Sequence, residues 1–170
     1  MIISASRRTD IPAFYSEWFF NRINEGYVLV PNPYNPNMIS RVSLDPAIID
    51  CVVFWTKNPT PMIERLDRLA DYKYYFQFTL NPYGTKLESK LPSLDRRIDT
   101  FKRLADRIGK EKVVWRYDPI LTNEQYTVAF HQDKFAEMAV SLQGYTEKCM
   151  LGFIDHYPHV RASLREFNIE

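Results

Sequence analysis

Five short apolar runs alternate along this chain with segments of helical periodicity, and that alternation constrains the fold more than any other feature. The runs have strand length and are rich in Val, Ile, Phe and Tyr. They cover residues 2–6, 51–55, 74–80, 112–117 and 149–154. Regular alternation of strand and helix predicts a parallel sheet with helices outside it. The expected class is therefore α/β, with about five parallel strands.

The intervals between the runs carry signals for helices and one hairpin. The predicted helices begin at residues 12, 60, 93, 122 and 159. Residues 122–125 match a capping box, and His131 is expected to open or cap a helix. Residues 27–30 and 38–44 flank a loop rich in Pro and Asn, which predicts an inserted β-hairpin at about 27–44.

The strand faces favour a barrel over a doubly wound sheet. Central strands of a doubly wound sheet are apolar on both faces, whereas Arg116 and Asp118 alternate here with Trp115 and Tyr117. A polar inner face suits a barrel that holds a ligand. A complete eightfold barrel takes about 200–250 residues, and this chain has 170. We therefore predict a single domain over residues 1–170, a partial TIM-like (βα) barrel with outer helices and the inserted β-hairpin.

Polar side chains follow all five apolar runs, where the strands of a βα barrel bind their ligands. The predicted ligand-binding residues are Arg7, Arg8, Asp10, Lys57, Gln77, Thr79, Asn81, Arg116, Asp118 and Asp155. Four are cations and three are carboxylates, and one excess positive charge predicts an anionic or zwitterionic ligand. Two alternatives remain open: strand ends are commonly polar, and Arg8 and Arg116 would also suit internal ion pairs with Asp10 and Asp118.

Composition argues against several functional classes. Lys and Arg number 22 against 21 Asp and Glu, a net charge of +1, so binding through bulk positive charge is disfavoured. Five glycines form no nucleotide-binding fingerprint. No apolar window is long enough for a membrane helix, and the start is not a signal peptide. The expected location is cytoplasmic. Cys51 and Cys149 each open a strand, as small buried apolar residues do, and two cysteines alone make no metal site.

Five ordered motifs at the strand ends resemble the bacterial domain-of-unknown-function family numbered 1848. They are residues 3–13, 54–59, 77–81, 115–120 and 153–155. Longer members of that family carry a cysteine cluster similar to that of radical SAM enzymes. The resemblance therefore implies a [4Fe-4S] cluster and S-adenosylmethionine in those members. It implies no cofactor in this chain, which has two cysteines where a four-iron cluster needs three or four thiolates.

The leading prediction is the N-terminal barrel portion of a radical-SAM-related enzyme, inactive by itself, with a cavity for an anionic or zwitterionic small molecule. One alternative is a non-enzymatic module that binds nucleic acid or another ligand. A second is a metal-dependent hydrolase that uses Asp10, Asp118, Asp155 and His156. No membrane partner is expected. A homodimer through the open sheet edge is expected, because unpaired edge strands are prone to pair with another chain.

Overall fold

The computed structural model describes residues 1–6, 8–35 and 37–155. The elements, in chain order, are β1 (Ile2–Ser4), α1 (Ile11–Phe14), α2 (Ser16–Glu25), β2 (Tyr27–Pro31), β3 (Ile39–Ser43), β4 (Cys51–Thr56), α3 (Thr60–Ile63), β5 (Tyr74–Thr79), α4 (Leu94–Ile108), β6 (Val113–Ile120), α5 (Val128–Ser141) and β7 (Cys149–Phe153). Two short 3-10 helices cover Leu66–Leu69 and Lys110–Lys112. The predicted helix at 159–169 lies outside the described residues.

Five parallel strands form one sheet in the order β1-β4-β5-β6-β7, and β2 and β3 form a separate antiparallel hairpin. The predicted α/β fold class, with helices around a parallel sheet and an inserted hairpin, is confirmed. The chain divides into two compact units, Met1–Phe76 and Gln77–Glu170, called unit 1 and unit 2. The single-domain organisation stays a prediction.

Aromatic packing builds the core of unit 1. Phe19 on α2 meets Phe54 on β4 edge to face, with ring centroids 5.1 Å apart, and Phe54 stacks on Phe76 at 4.8 Å. The predicted single helix from residue 12 is two helices, because Tyr15 leaves the helical region at φ −133° and ψ 25°. That break separates α1 from the core-forming α2.

The hairpin is closed at its base by the backbone. Gly26 has φ 74°, a left-handed conformation that glycine adopts without steric cost, and it ends α2. Leu44 N donates to Gly26 O at 2.8 Å, just outside the last strand pair, Tyr27 with Ser43. In the loop at the tip of the hairpin, Asn32 Oδ1 accepts hydrogen bonds from the backbone N–H groups of Tyr34 and Asn35. The two ends of the insertion therefore lie side by side.

Helices α4 and α5 cover the strands of unit 2. Phe101 on α4 lies 5.1 Å from Phe78 on β5, and Phe135 on α5 stacks on Trp115 at 4.9 Å. Along β6, buried and half-buried residues alternate as predicted. The apolar face of β6 is therefore the one that packs under α5.

The predictions for the start of α5 and for Cys149 are wrong. Helix α5 begins at Val128 and not at residue 122, because Thr127 is the N-cap and its side chain accepts from Phe130 N. Asn123 instead caps a turn. Cys149 is exposed, since it opens the edge strand β7, whereas Cys51 is half-buried. Among the described residues, no helix has the length and apolar character needed to cross a membrane.

Candidate ligand-binding site

The predicted site residues fall into two groups, one in each unit. Unit 1 contains Arg8, Asp10 and Lys57, which follow β1 and β4. The residues in unit 2 are Gln77, Thr79, Asn81, Arg116, Asp118 and Asp155. Arg7 and His156 lie outside the described residues.

Asp10 ties α1 to the end of β4. Its Oδ1 accepts from Ala13 N at 3.0 Å as the N-cap of α1, and its Oδ2 accepts from Lys57 N at 2.7 Å. Burial raises the pKa of this carboxyl, and the bonds from Lys57 and from the Thr56 side chain offset part of that rise. With both oxygens bonded to the protein, Asp10 holds the local backbone together.

Arg8 stands at the mouth of a cavity of about 590 Å³ in unit 1. The guanidinium is exposed, and its Nη2 donates to Pro31 O on β2 at 3.1 Å. The walls are mostly apolar and include Tyr15, Trp18 and Leu29, with Ser4 and Thr9 as polar members. A cation thus faces a cavity whose other walls suit a hydrocarbon or ring.

A second cavity of about 250 Å³ adjoins the first and shares Ala5, Trp18 and Val28 with it. Arg22 lines this second cavity. The Nε atom of Arg22 is buried and, among the described residues, makes no hydrogen bond. Sequence reasoning missed Arg22; its position four residues after Trp18 on an aromatic helix was the available signal.

In unit 2, Asn81 has a structural role. Its fully buried side chain donates from Nδ2 to Asp118 O and accepts from Asp118 N, both at 3.0 Å. Arg97 donates to Asn81 O at 3.1 Å and forms an ion pair with Glu88 at 2.9 Å. The side chains of Arg97 and Glu88 are 3% and 5% exposed, so a buried charge pair supports the end of β5.

Arg116 and Asp118 form an ion pair on the polar face of β6, the internal pairing that the sequence left open. Their side chains are 20% and 25% exposed. The Asp118 carboxyl also lies against Gly152 of β7, where a β carbon would come 2.8 Å from its Cγ. Asp118 is therefore held on two sides.

The remaining predicted residues of unit 2 differ in how far their side chains are exposed to solvent. Gln77 is half-buried, Thr79 is buried and Asp155 is exposed. Within 1–6, 8–35 and 37–155, no three His, Cys, Asp or Glu side chains gather as metal ligands. The carboxylates named for a hydrolase are thus not assembled in the described part of the chain.

His131 lies within α5 and bonds to β6, where the sequence predicted a residue that opens or caps a helix. Its Nε2 lies 2.8 Å from Leu121 O, a partner that only accepts, so this nitrogen donates. Nδ1 then accepts from the Tyr117 hydroxyl at 2.7 Å. Burial raises the pKa of Tyr117 to about 12. An apolar cavity of about 280 Å³ adjoins this pair, but no local pattern in the sequence connects the two residues.

The fold is a parallel α/β sheet of five strands with an inserted hairpin, and a cation-bearing cavity lies at the end of its first strand. The family model described as a domain of unknown function, DUF1848, matches residues 2–170, and the chain belongs to this family. Neither the curated proteins nor the solved structures contain a match to the chain.

Proposed function

We propose that this chain binds a small organic anion or zwitterion in the cavity at the end of β1, and that the cavity is the substrate site of a barrel-type enzyme. The observation that carries the proposal is the position of Arg8 at the mouth of a cavity of about 590 Å³. Small-molecule sites are concave and mostly apolar, with a few polar groups that fix orientation. This cavity has that composition.

The charge of Arg8 selects the ligand class. The hydrogen bond that Arg8 makes goes to the neutral carbonyl of Pro31, so this partner leaves the positive charge uncompensated. A guanidinium presents a planar fork of donors that matches a carboxylate or phosphate. Trp18 and Tyr15 offer aromatic surface for the apolar part of the same ligand.

The enzyme class that we propose is the radical-SAM-related one. A four-iron cluster takes three or four thiolates, whereas Cys51 and Cys149 lie on β4 and β7, 98 positions apart in the chain. These two residues do not fit such a cluster. The proposal therefore assigns ligand binding to this chain and no cluster chemistry.

A ligand screen on matched variants tests the proposal. Carboxylates, phosphates and amino acids are added to the wild type, to Arg8→Gln and to Arg65→Gln while the melting temperature is followed. Arg65 is an exposed arginine of unit 1 that pairs with Glu17 outside both cavities. Arg65→Gln therefore removes the same charge as Arg8→Gln without altering the lining of either cavity.

We expect an anion to raise the melting temperature of the wild type and of Arg65→Gln. Arg8→Gln should weaken its binding about tenfold or more, the effect of losing a charge-assisted hydrogen bond. Equal binding by all three proteins would place the anion elsewhere and contradict the proposal.

A further inference from the structure

The two cavities of unit 1 are lined by the same three parts of the fold: β1, the hairpin and α2. The cavity of Arg8 contacts Ser4 on β1 and Leu29 on β2, and the second cavity contacts Ile2 on β1 and Val42 on β3. Both therefore lie between the edge strand β1 and the hairpin, with α2 as the shared floor. Together they form a trough, which we call the β1–hairpin trough.

Helix α2 gives the trough its length. The cavity of Arg8 reaches Tyr15, both cavities contact Trp18, and the second reaches Arg22. The seven residues 16–22 of α2 span this stretch, a rise of about 10 Å at about 1.5 Å per residue. Each of the two adjoining cavities thus has one arginine in its lining, Arg8 in the first and Arg22 in the second.

Arg22 is half-buried in the lining of the second cavity. Its Nε is buried and makes no hydrogen bond among the described residues, and the surrounding walls, such as Phe19 and Val28, are apolar. A buried donor without an acceptor is destabilising and is rare in native proteins. Arg22 lines the second cavity, so an acceptor on a molecule lying in the trough would bind its cationic guanidinium.

We propose that the occupant of the trough is an elongated molecule with an acceptor group at each end and an apolar middle, as in a linear dicarboxylate. This inference rests on the proposed function and deepens it. One carboxylate binds Arg8, the hydrocarbon lies on Trp18 and Val28, and the second carboxylate accepts from the guanidinium of Arg22.

Isothermal titration with two homologous series tests this: linear dicarboxylates from succinate upward, and monocarboxylates of the same chain lengths. The wild type is compared with Arg8→Gln, Arg22→Met and the control Arg65→Gln. Arg22→Met keeps the apolar stem that packs in the trough and removes the donor. Its unliganded melting temperature shows whether the fold is intact.

We expect one dicarboxylate of intermediate length to bind tightest, because its two carboxylates must reach Arg8 and Arg22 at the same time. It should bind about tenfold or more tightly than the monocarboxylate of equal length, and Arg22→Met should remove that advantage. Arg8→Gln should weaken both series, and Arg65→Gln neither.

The outcomes separate the two proposals. If both series bind equally well and only Arg8→Gln weakens them, the anion site stands and the second acceptor is wrong. If neither series binds, or if Arg8→Gln changes nothing, the proposed function itself fails.

Discussion

Asn81 and Asp118 exchange two hydrogen bonds, each 3.0 Å long, between the side-chain amide of Asn81 and the backbone of Asp118. An amide side chain offers one acceptor and a donor in nearly the geometry of a peptide group. Asn81 follows Thr79, the last residue of β5, and Leu80 N still donates to Arg116 O. Asn81 therefore extends the pairing with β6 after β5 has ended.

Replacing Asn81 should lower the free energy of unfolding. Asn81→Ala removes both bonds at a fully buried position, and unmet hydrogen bonds together with the space left behind predict a loss of about 2–4 kcal/mol. Urea denaturation measures it. The exposed Asn21 on α2 provides the control Asn21→Ala, which should stay within about 0.5 kcal/mol of the wild type. Equal stability of the two variants would contradict the role given to Asn81.

A methyl group at Gly152 should displace the Asp118 carboxyl. The added β carbon would lie 2.8 Å from both Cγ and Oδ1 of Asp118, and such overpacking costs about 1–3 kcal/mol. The control is Gly84→Ala, where the nearest atom to an added β carbon is the Tyr126 hydroxyl at 3.9 Å. Thermal unfolding of the two variants should differ clearly. A Gly152→Ala protein as stable as Gly84→Ala would show that the carboxyl is not fixed there.

The ion pair of Arg116 and Asp118 is testable by a double-mutant comparison. Because about a fifth to a quarter of each side chain is exposed, we expect Arg116→Met to lose about 1–2 kcal/mol, between the values for exposed and buried pairs. Adding Asp118→Leu should restore most of the loss, since no unpaired carboxylate remains. A single variant with wild-type stability would contradict a structural pair and return Arg116 to the ligand-binding candidates.

Asp10 should make the stability of the protein depend on pH in a defined direction. Burial raises its pKa above the ordinary 3.8, so the native carboxyl keeps its proton where the unfolded one has lost it. Its contribution to the free energy of unfolding then falls as pH rises from 3.8 through the native pKa and is constant above it.

Urea denaturation at a series of pH values measures this contribution as the difference between wild type and Asp10→Asn, which has no titrating group at that position. The difference should fall with rising pH over the stated window. A difference that rises with pH would mean that the hydrogen bonds from Lys57 and Ala13 outweigh burial.

The strands were predictable because burial imposes a pattern on sequence. Each of the five apolar runs overlaps a strand, and the alternation along β6 separates Trp115 and Tyr117 from Arg116 and Asp118 as expected. The hairpin was equally readable, since a loop rich in Pro and Asn between two β-type segments favours a turn. These signals depend on residues close together in the chain.

The roles of polar residues were less predictable, because they depend on partners distant in sequence. Asn81 is a polar residue that follows a strand, as a ligand-binding residue would, but its side chain forms hydrogen bonds with the backbone of Asp118 instead. His131 reaches Tyr117, fourteen positions away. The capping box at residues 122–125 predicted the start of α5, but the bond from Phe130 N to Thr127 places that start at Val128.

The hydrogen bond from Leu44 to Gly26 brings the two ends of the hairpin, residues 27–43, together at its base. Because these ends are already adjacent, we expect a longer or shorter hairpin to leave the register of β1 and β4, which pair through Ile2 and Cys51, unchanged. The hairpin supplies one whole wall of the β1–hairpin trough. We therefore expect the length of the hairpin to determine the size of the molecule that the trough accepts, while the sheet keeps its pairing.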